Sequence, residues 1–291
     1  MTIVYTRNGY DVNRTTFENI NYLRTINLIY EDWTNNSMDN AFYNCSNLYK
    51  VQQINQNVVS MNNTFADCVN LVNAPELPNS VENISHIFDN CIKLKNVTIP
   101  NSVQDMSYAF NNCSNLTITP ELPNSLTNMS YAFSNCVNIP VMPIIPDTTI
   151  DMSGAFYNCS NIKNFQDITI GVTNLYQAFE NCVKLEGNLK IYSTTIENAY
   201  NCFDGTTLDK NVFIQFKYAN YEDTDTYKSF INAGYGTDPD NRKNGVCLVD
   251  NSGIEVDLSD YTYTIDNKFT AHLTKYIGDS TIVVQPDISG E

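Results

Sequence analysis

Positive charge is what this sequence has least of. Its 291 residues hold 16 Lys and Arg against 32 Asp and Glu, a formal net charge of −16. That balance repels polyanions, so no nucleic acid is expected as a partner. No run approaches the ~18 consecutive apolar residues of a membrane span, so no membrane insertion is expected either. The first residues, Met1 to Gly9, lack a basic segment leading into a long apolar one. If this is the native start, export by the general route is not expected. Histidine is nearly missing, with only His86 and His272, far apart in the chain. There is no Gly-rich phosphate loop, no His-Glu-x-x-His and no nucleophile elbow. No Cys-x2-Cys pair of the kind that zinc sites use occurs. Acidic pairs suited to glycoside hydrolysis carry no signal of their own, because 32 carboxylates offer many accidental pairings. The expectation is a non-enzyme with no cofactor and no metal.

What is present is one phrase written seven times. In Asp105-Met-Ser-Tyr-Ala-Phe-Asn-Asn-Cys-Ser-Asn-Leu116 the order is Met, a small residue before Phe, then Cys three and Leu six positions after the Phe. The phenylalanines are Phe42, Phe65, Phe88, Phe110, Phe133, Phe156 and Phe179. The cysteines are Cys45, Cys68, Cys91, Cys113, Cys136, Cys159 and Cys182, at steps of 23, 23, 22, 23, 23 and 23 residues. A fixed period of this size means a solenoid. One such coil cannot bury its apolar side chains alone, so the Met, Phe, Cys and Leu positions must point inward and stack on the next coil. Each Leu leads into a short run such as Leu71–Pro78, which should add one strand per coil to a parallel sheet. The Ser, Asp or Asn before each Met-x-x-x-Phe suits the start of a helical turn on the opposite face.

The phrase Ile99-Pro-Asn-Ser-Val-Gln-Asp-Met-Ser-Tyr-Ala-Phe-Asn-Asn-Cys-Ser-Asn-Leu116 resembles the BspA-like class of leucine-rich repeats. The shared features are the Phe–Cys–Leu spacing and the Ile-Pro-x-Ser-Val lead-in, over roughly residues 37–210. The resemblance implies a curved solenoid used for adhesion on bacterial or protist surfaces and in some bacteriophage virion proteins, and not an enzyme. Two features depart from it. Met stands where the family usually has Ile, and in Ala199-Tyr-Asn-Cys-Phe-Asp-Gly-Thr206 the Cys has moved and Thr206 takes its place.

The ends break the period. Residues 1–36 read as an N-terminal cap or attachment segment, with a hairpin around Arg7-Asn-Gly-Tyr10 and a helix over Thr16–Tyr30. Residues 211–291 read as a C-terminal β-rich module. They hold strands at Val212–Phe216 and Gly245–Val249, and a helix capped at Asp223/Thr224 and ended by Gly234. Ile254, Val256 and Leu258 alternate, and so do Tyr261, Tyr263 and Ile265 before a turn at Asp266-Asn267. The expected fold is therefore an α/β repeat: a leucine-rich-repeat solenoid of about eight 22–23-residue coils between these two ends.

The seven repeat cysteines form one column. Strand spacing would bring neighbouring Cα atoms within the ~4.4–6.8 Å of a disulfide. A column of small hydrophobes explains the same pattern, and reduced, buried, metal-free thiols are the expectation. Asp204–Asp209 and Asp238/Asp240 hint at calcium but lack the spacing of a known loop, and read as turns.

Candidate contacts lie where the repeat varies. The residue two before each Phe is Asn40, Asn63, His86, Tyr108, Tyr131, Gly154 or Gln177. On the strand face, Glu76, Thr98, Glu121, Val141 and Ile144 vary in the same way. Aromatics among polar residues suit protein or carbohydrate contacts, which points to His86, Tyr108, Tyr131, Glu76, Thr98 and Glu121. A solvated face without a ligand would read the same way. Both ends add tyrosines and the one tryptophan: Tyr5, Tyr10, Trp33, Tyr218, Tyr221, Tyr235, Tyr261 and Tyr263. Residues 222–291 carry 13 acids and 5 Lys or Arg, −8 of the total, which suits a basic or calcium-bridged partner. The leading functional expectation joins the adhesin-type repeat to the missing leader: a non-enzymatic fibre or tail component of a bacteriophage virion. Its partners would be a host-surface protein or glycan, other virion proteins, or further copies of itself. The alternative is a bacterial or protist cell-surface adhesin without its signal and anchor.

Overall fold

In the computed structural model the repeats stack as successive coils in parallel. It describes residues 2–7, 17–30, 36–52, 54, 56–205, 212–217, 224–235, 246–249, 261–265 and 271–276. The centre is a column of phenylalanine rings running from Phe17 through Phe42, Phe65, Phe88, Phe110, Phe133, Phe156 and Phe179 to Phe203. Adjacent centroids lie 5.4 to 5.9 Å apart and the planes are within 18° of parallel. The Met, Cys and Leu positions of the same coils are buried beside it.

The sequence predicts a helical turn at Met-x-x-x-Phe, and the structure has none there. That segment is a run of overlapping β-turns. Ala41, Tyr43 and Cys45 donate their N–H groups to the carbonyls of Met38, Asn40 and Phe42 in their own coil. The residues between them, Asn40, Phe42 and Asn44, donate to Asn62, Thr64 and Ala66 of the next coil at 2.8, 2.9 and 2.8 Å. A helix would consume every N–H internally, whereas the turns leave alternate ones free to join coils. The capping signal before each Met is real all the same. Asp105, Asn128 and Asp151 accept the N–H of Ser107, Ser130 and Ser153 on their side chains, which starts a turn rather than a helix.

The carbonyls of Phe42, Phe65, Phe88, Phe110, Phe133 and Phe156 each accept twice. Phe110 takes the N–H of Cys113 from its own coil and the thiol of Cys136 from the next, both at 3.0 Å. The same thiol bond joins Cys68 to Phe42, Cys91 to Phe65, Cys113 to Phe88, Cys159 to Phe133 and Cys182 to Phe156. Cysteine fits this position because it is a small hydrophobe that still carries a weak donor.

The predicted sheet under the Leu positions is interrupted. Regular strands occur near the two ends: β1 (Thr2–Arg7), β2 (Thr25–Tyr30) and β3 (Lys50–Gln52), then β4 (Gly187–Ile191), β5 (Val212–Phe216) and β6 (Val246–Val249). Both sets are parallel, in the orders β1-β2-β3 and β4-β5-β6. The coils between them keep only isolated bridges on this face, such as Asn73 with Asn96 and Val141 with Asn164. Pro75, Pro78, Pro120, Pro123, Pro140 and Pro143 occupy these runs, and proline cannot donate to a ladder. The continuous line of bridges instead follows the residue before each Met, from Ser37 through Ser60, Asn83, Asp105, Asn128, Asp151 and Asn174 to Asn198.

At the N-terminus β1 pairs in parallel with β2, and the hairpin expected around Arg7–Tyr10 falls on residues 8–16, which lie outside the described residues. The helix predicted over Thr16–Tyr30 is, over the described residues 17–30, turns followed by β2. Its three-residue spacing is the repeat's own: Phe17, Ile20 and Leu23 occupy the Phe, Cys and Leu positions, and Phe17 stacks on Phe42 at 5.4 Å. The column and the parallel strands thus run across residue 37 without a break.

At the other end, α1 (Asp225–Asn232) starts at Thr224, whose side chain accepts from the N–H of Tyr227, and Gly234 follows it with φ of 90°. Tyr235 stands edge-on to Phe203, the last ring of the column, at 5.7 Å, Phe230 packs on Tyr235, and Phe216 packs on Phe230. The Tyr235 hydroxyl accepts the N–H of Phe203 at 2.9 Å, and the residue is 1% exposed. This corrects its assignment to a contact surface: Tyr235 is buried and caps the core. β7 (Tyr261–Ile265) and β8 (Ala271–Tyr276) form an antiparallel hairpin. Ile254, Val256 and Leu258, the segments Thr206–Asp209 and Asp238–Asp240, and Tyr10, Trp33, Tyr218 and Tyr221 lie outside the described residues.

Phe110→Ala should cost ~3–5 kcal/mol by emptying one place in the column. Hydrogen exchange should quicken in the coils of Phe88 and Phe133, because a solenoid coil is held by its neighbours. Unchanged protection there would refute the stacked column. The thiols give a second test. Burial raises the eight cysteines from Cys45 to Cys202, Cys45 from 9.0 to about 11 and Cys182 to about 12. Well below pH 9 folded and unfolded thiols are both neutral and stability is unaffected. Above it the unfolded chain ionises first, so stability falls as pH rises toward the folded values, by about 1.4 kcal/mol per unit for each such thiol. The urea midpoint should therefore drop sharply between pH 9 and 10, and equal midpoints at pH 8 and 10 would overturn the buried-thiol account.

Candidate functional site

The turn run forces a left-handed backbone at two places per coil. One is the residue two after each Phe, with φ between 56° and 62° at Asn44, Asp67, Asn90, Asn112, Asn135, Asn158 and Asn181. Asn and Asp tolerate this conformation best among residues with a side chain. The other is the variable residue two before each Phe, at 57° for Asn40, 53° for Asn63, 54° for His86, 55° for Tyr108, 52° for Tyr131, 56° for Gly154 and 55° for Gln177. It is the third residue of a turn closed by the Met carbonyl, and a type II turn requires φ > 0 there. His, Tyr and Gln pay for this position with steric strain, of the kind that collects at functional sites.

On the outside of the turn run those residues form a second ring stack. His86 lies 4.6 Å from Tyr108 with planes 3° apart, and Tyr108 lies 4.9 Å from Tyr131 at 10°. The row is fixed at both ends. His86 Nδ1 meets Asp89 Oδ2 at 3.1 Å. Tyr131 reaches across the Gly154 coil to donate its hydroxyl to Gln177 Oε1 at 2.9 Å, and Gln177 Nε2 donates to Glu180 Oε2 at 2.7 Å. Gly154 makes that reach possible, since a Cβ there would collide with the Tyr131 ring. Burial raises the Tyr108 and Tyr131 phenols, with further contributions from Asp89 at Tyr108 and from Tyr108, Tyr176 and Glu180 at Tyr131. Both are therefore neutral hydroxyls at physiological pH, able to donate and accept.

Beside this row runs an open groove of about 640 Å³, whose walls include Asn63, Asp67, Asp89, Asn90 and Asn111. Asparagine side chains bridge coils along it. Asn90 donates to Asp67 at 2.7 Å, Asn111 to Asp89 at 2.9 Å and Asn158 to Asn135 at 2.8 Å. Asp89 belongs both to the groove and to the His86 anchor, so the two features are contiguous.

The structure thus gathers His86, Tyr108 and Tyr131 into one row. Glu76, Thr98 and Glu121 are exposed on the strand face, on a different run of the coil, and do not join it. Tyr261 and Tyr263 are on β7. The eight cysteines from Cys45 to Cys202 are buried and free of disulfides. Sequence reasoning missed Gly154, Gln177, Asp89 and Glu180 as supports of the row. The signal for the backbone was present in the asparagine that recurs two residues after the Phe, a residue type that marks left-handed turns.

Residues 2–117 and 85–209 match the model of the BspA type leucine rich repeat region (6 copies). The match starts in the segment whose Phe17 continues the column. A solved leucine-rich repeat protein from Bacteroides ovatus is similar at a TM-score of 0.49 and 21% identity, over 74% of this chain and 63% of that one. The chain therefore spans less than two thirds of that protein. A T. pallidum leucine rich repeat protein gives 0.42 and 25% identity, over 61% of this chain and 78% of that one. The pneumococcal vaccine antigen PcpA gives 0.42 and 16%, over 79% and 68%. No curated protein matches the chain.

Gly154→Ala should destabilise the protein by about 1–3 kcal/mol, adding left-handed strain to a clash with Tyr131. The displaced ring should change the near-ultraviolet circular dichroism of the tyrosines. A variant with native stability and an unchanged tyrosine signal would show that Tyr131 does not lie over this glycine.

Proposed function

Since the chain belongs to the BspA type leucine-rich-repeat family, we propose that it is a non-enzymatic binding scaffold, displayed on an exterior surface and used for adhesion. The observation that carries this reading is the His86–Tyr108–Tyr131 row, held outward in a left-handed backbone next to a groove of Asn and Asp side chains. A solenoid needs none of those three rings for its core, which the inner phenylalanines already fill. Stacked rings whose edges carry hydroxyl and imidazole groups, beside amide and carboxylate groups, offer the apolar surface and hydrogen bonds that a glycan or a protein loop requires. The high acidity of the chain supports neutral or basic partners over nucleic acid. Among the described residues no helix is long and apolar enough to cross a membrane.

Two settings suit such a scaffold, the surface of a bacterial or protist cell and the exterior of a bacteriophage particle. The virion setting rests on the sequence reading alone, and the cell-surface setting fits the family equally well. Immunogold labelling of the native source against this chain separates them by where the gold is found.

The site itself is tested with the double variant Tyr108→Ala/Tyr131→Ala, screened beside the parent chain on immobilised cell-surface glycans and proteins. Ligands of the parent should lose at least tenfold in affinity, about 1.4 kcal/mol, while the far-ultraviolet spectrum stays unchanged. A folded double variant that keeps every interaction of the parent would remove the row from the binding surface.

A further inference from the structure

The strand face is polar along most of the stack. Two residues after the Leu position it carries Asn73, Asn96 and Asn164, and five after it Glu76, Glu121 and Asp167, with Thr98 in that row on the shorter coil. All of these are exposed. On two adjacent coils the pattern breaks, where Ile118, Val141 and Ile144 are 69%, 47% and 79% exposed. The stack does not call for them. The inward positions of the same coils are filled by Leu116, Ile139, Met142 and Ile145, all buried. Thr119 Oγ1 donates to the carbonyl of Val141, and Val141 bridges to Asn164, so the three coils concerned lie side by side. A contiguous apolar patch inside a polar surface marks an interaction site.

We propose that Ile118, Val141 and Ile144 form a docking site for an extended polypeptide segment that lies along the stack and presents an apolar side chain flanked by basic residues. Charge complementarity names this occupant. The row of Ile144 continues into Glu121 on one neighbouring coil and Asp167 on the other, so a carboxylate lies one coil away on each side. Coils paired by strand bridges are ~4.8 Å apart, and an extended chain places same-face side chains ~6.6 Å apart. The long stems of Lys and Arg close the difference. The matching pattern is basic-x-apolar-x-basic. Its apolar residue covers the isoleucine patch, and its two charges fix the register and speed the encounter. An acidic peptide would meet the same two carboxylates and be repelled.

The test uses the full chain and a labelled peptide with the core Lys-Thr-Ile-Thr-Lys, followed by fluorescence anisotropy at fixed salt. Binding should weaken about tenfold or more in Ile144→Ser and in Glu121→Lys/Asp167→Lys. The charge-reversed double variant should instead prefer a peptide with the core Glu-Thr-Ile-Thr-Glu. Ile170→Ser, an exposed apolar residue on another run of the coil, and Tyr108→Ala/Tyr131→Ala should leave peptide binding unchanged. The last control keeps this site distinct from the aromatic row. No anisotropy change at millimolar peptide, or equal binding by folded Ile144→Ser, overturns the proposal. So does a dimer, seen by light scattering, that Ile144→Ser dissolves, because the patch would then belong to a second copy of the chain.

Discussion

Everything in this architecture depends on how the turn face disposes of its backbone N–H groups. Half of them close β-turns within the coil, and the other half donate to the carbonyls of the next coil. Neither half can be left out, because buried backbone groups without partners are too costly to keep. The alternation requires two left-handed residues per coil, which sets the recurring asparagine after the Phe and the tolerant site before it. It also leaves each Phe carbonyl from Phe42 to Phe156 with a spare lone pair facing the next coil, and the cysteine thiol takes it. Phenylalanine, cysteine and asparagine are thus three consequences of one hydrogen-bond pattern.

That pattern explains why part of the fold was legible from the residues and part was not. Phe and Cys recur at a single offset, so the column could be read directly. The coil of Phe17 escaped because Ile20 replaces its cysteine and the step to Phe42 is 25 residues. Its Phe-x-x-Ile-x-x-Leu spacing then passes for one face of a helix. A short helix opposite the strands is the usual expectation for an Asx-capped segment, but three-residue apolar spacing suits a run of turns just as well. In the coils of Leu71, Leu116 and Ile139 the strand expectation failed for a simpler reason, since their prolines have no N–H to give.

The aromatic row was legible as a list of variable positions and illegible as a contact. Nothing in the sequence says that the backbone at His86, Tyr108 and Tyr131 is left-handed, or that the rings come within stacking distance. The missing term is the coil-to-coil spacing, which delivers equivalent side chains on neighbouring coils in register. Gly154 shows how closely that register is used. It gives up a side chain so that Tyr131 can lie over it and reach Gln177 on the coil beyond.

The same separation between core and exterior bears on how a scaffold of this kind could change partner. Left-handed geometry two before each Phe is imposed by hydrogen bonds that involve only backbone atoms, so asparagine, histidine, tyrosine, glycine and glutamine all occupy it at φ values within 5° of one another. Side chains there change outside the column, each residue other than glycine at a cost in left-handed strain. On the strand face Ile118, Val141 and Ile144 stand at positions that are polar on other coils, and the buried residues between them are undisturbed. Each face is therefore a register of outward positions that the inner repeat holds at constant spacing. Affinity for a partner is then written in which side chains occupy neighbouring coils, and the repeat that carries them can stay the same.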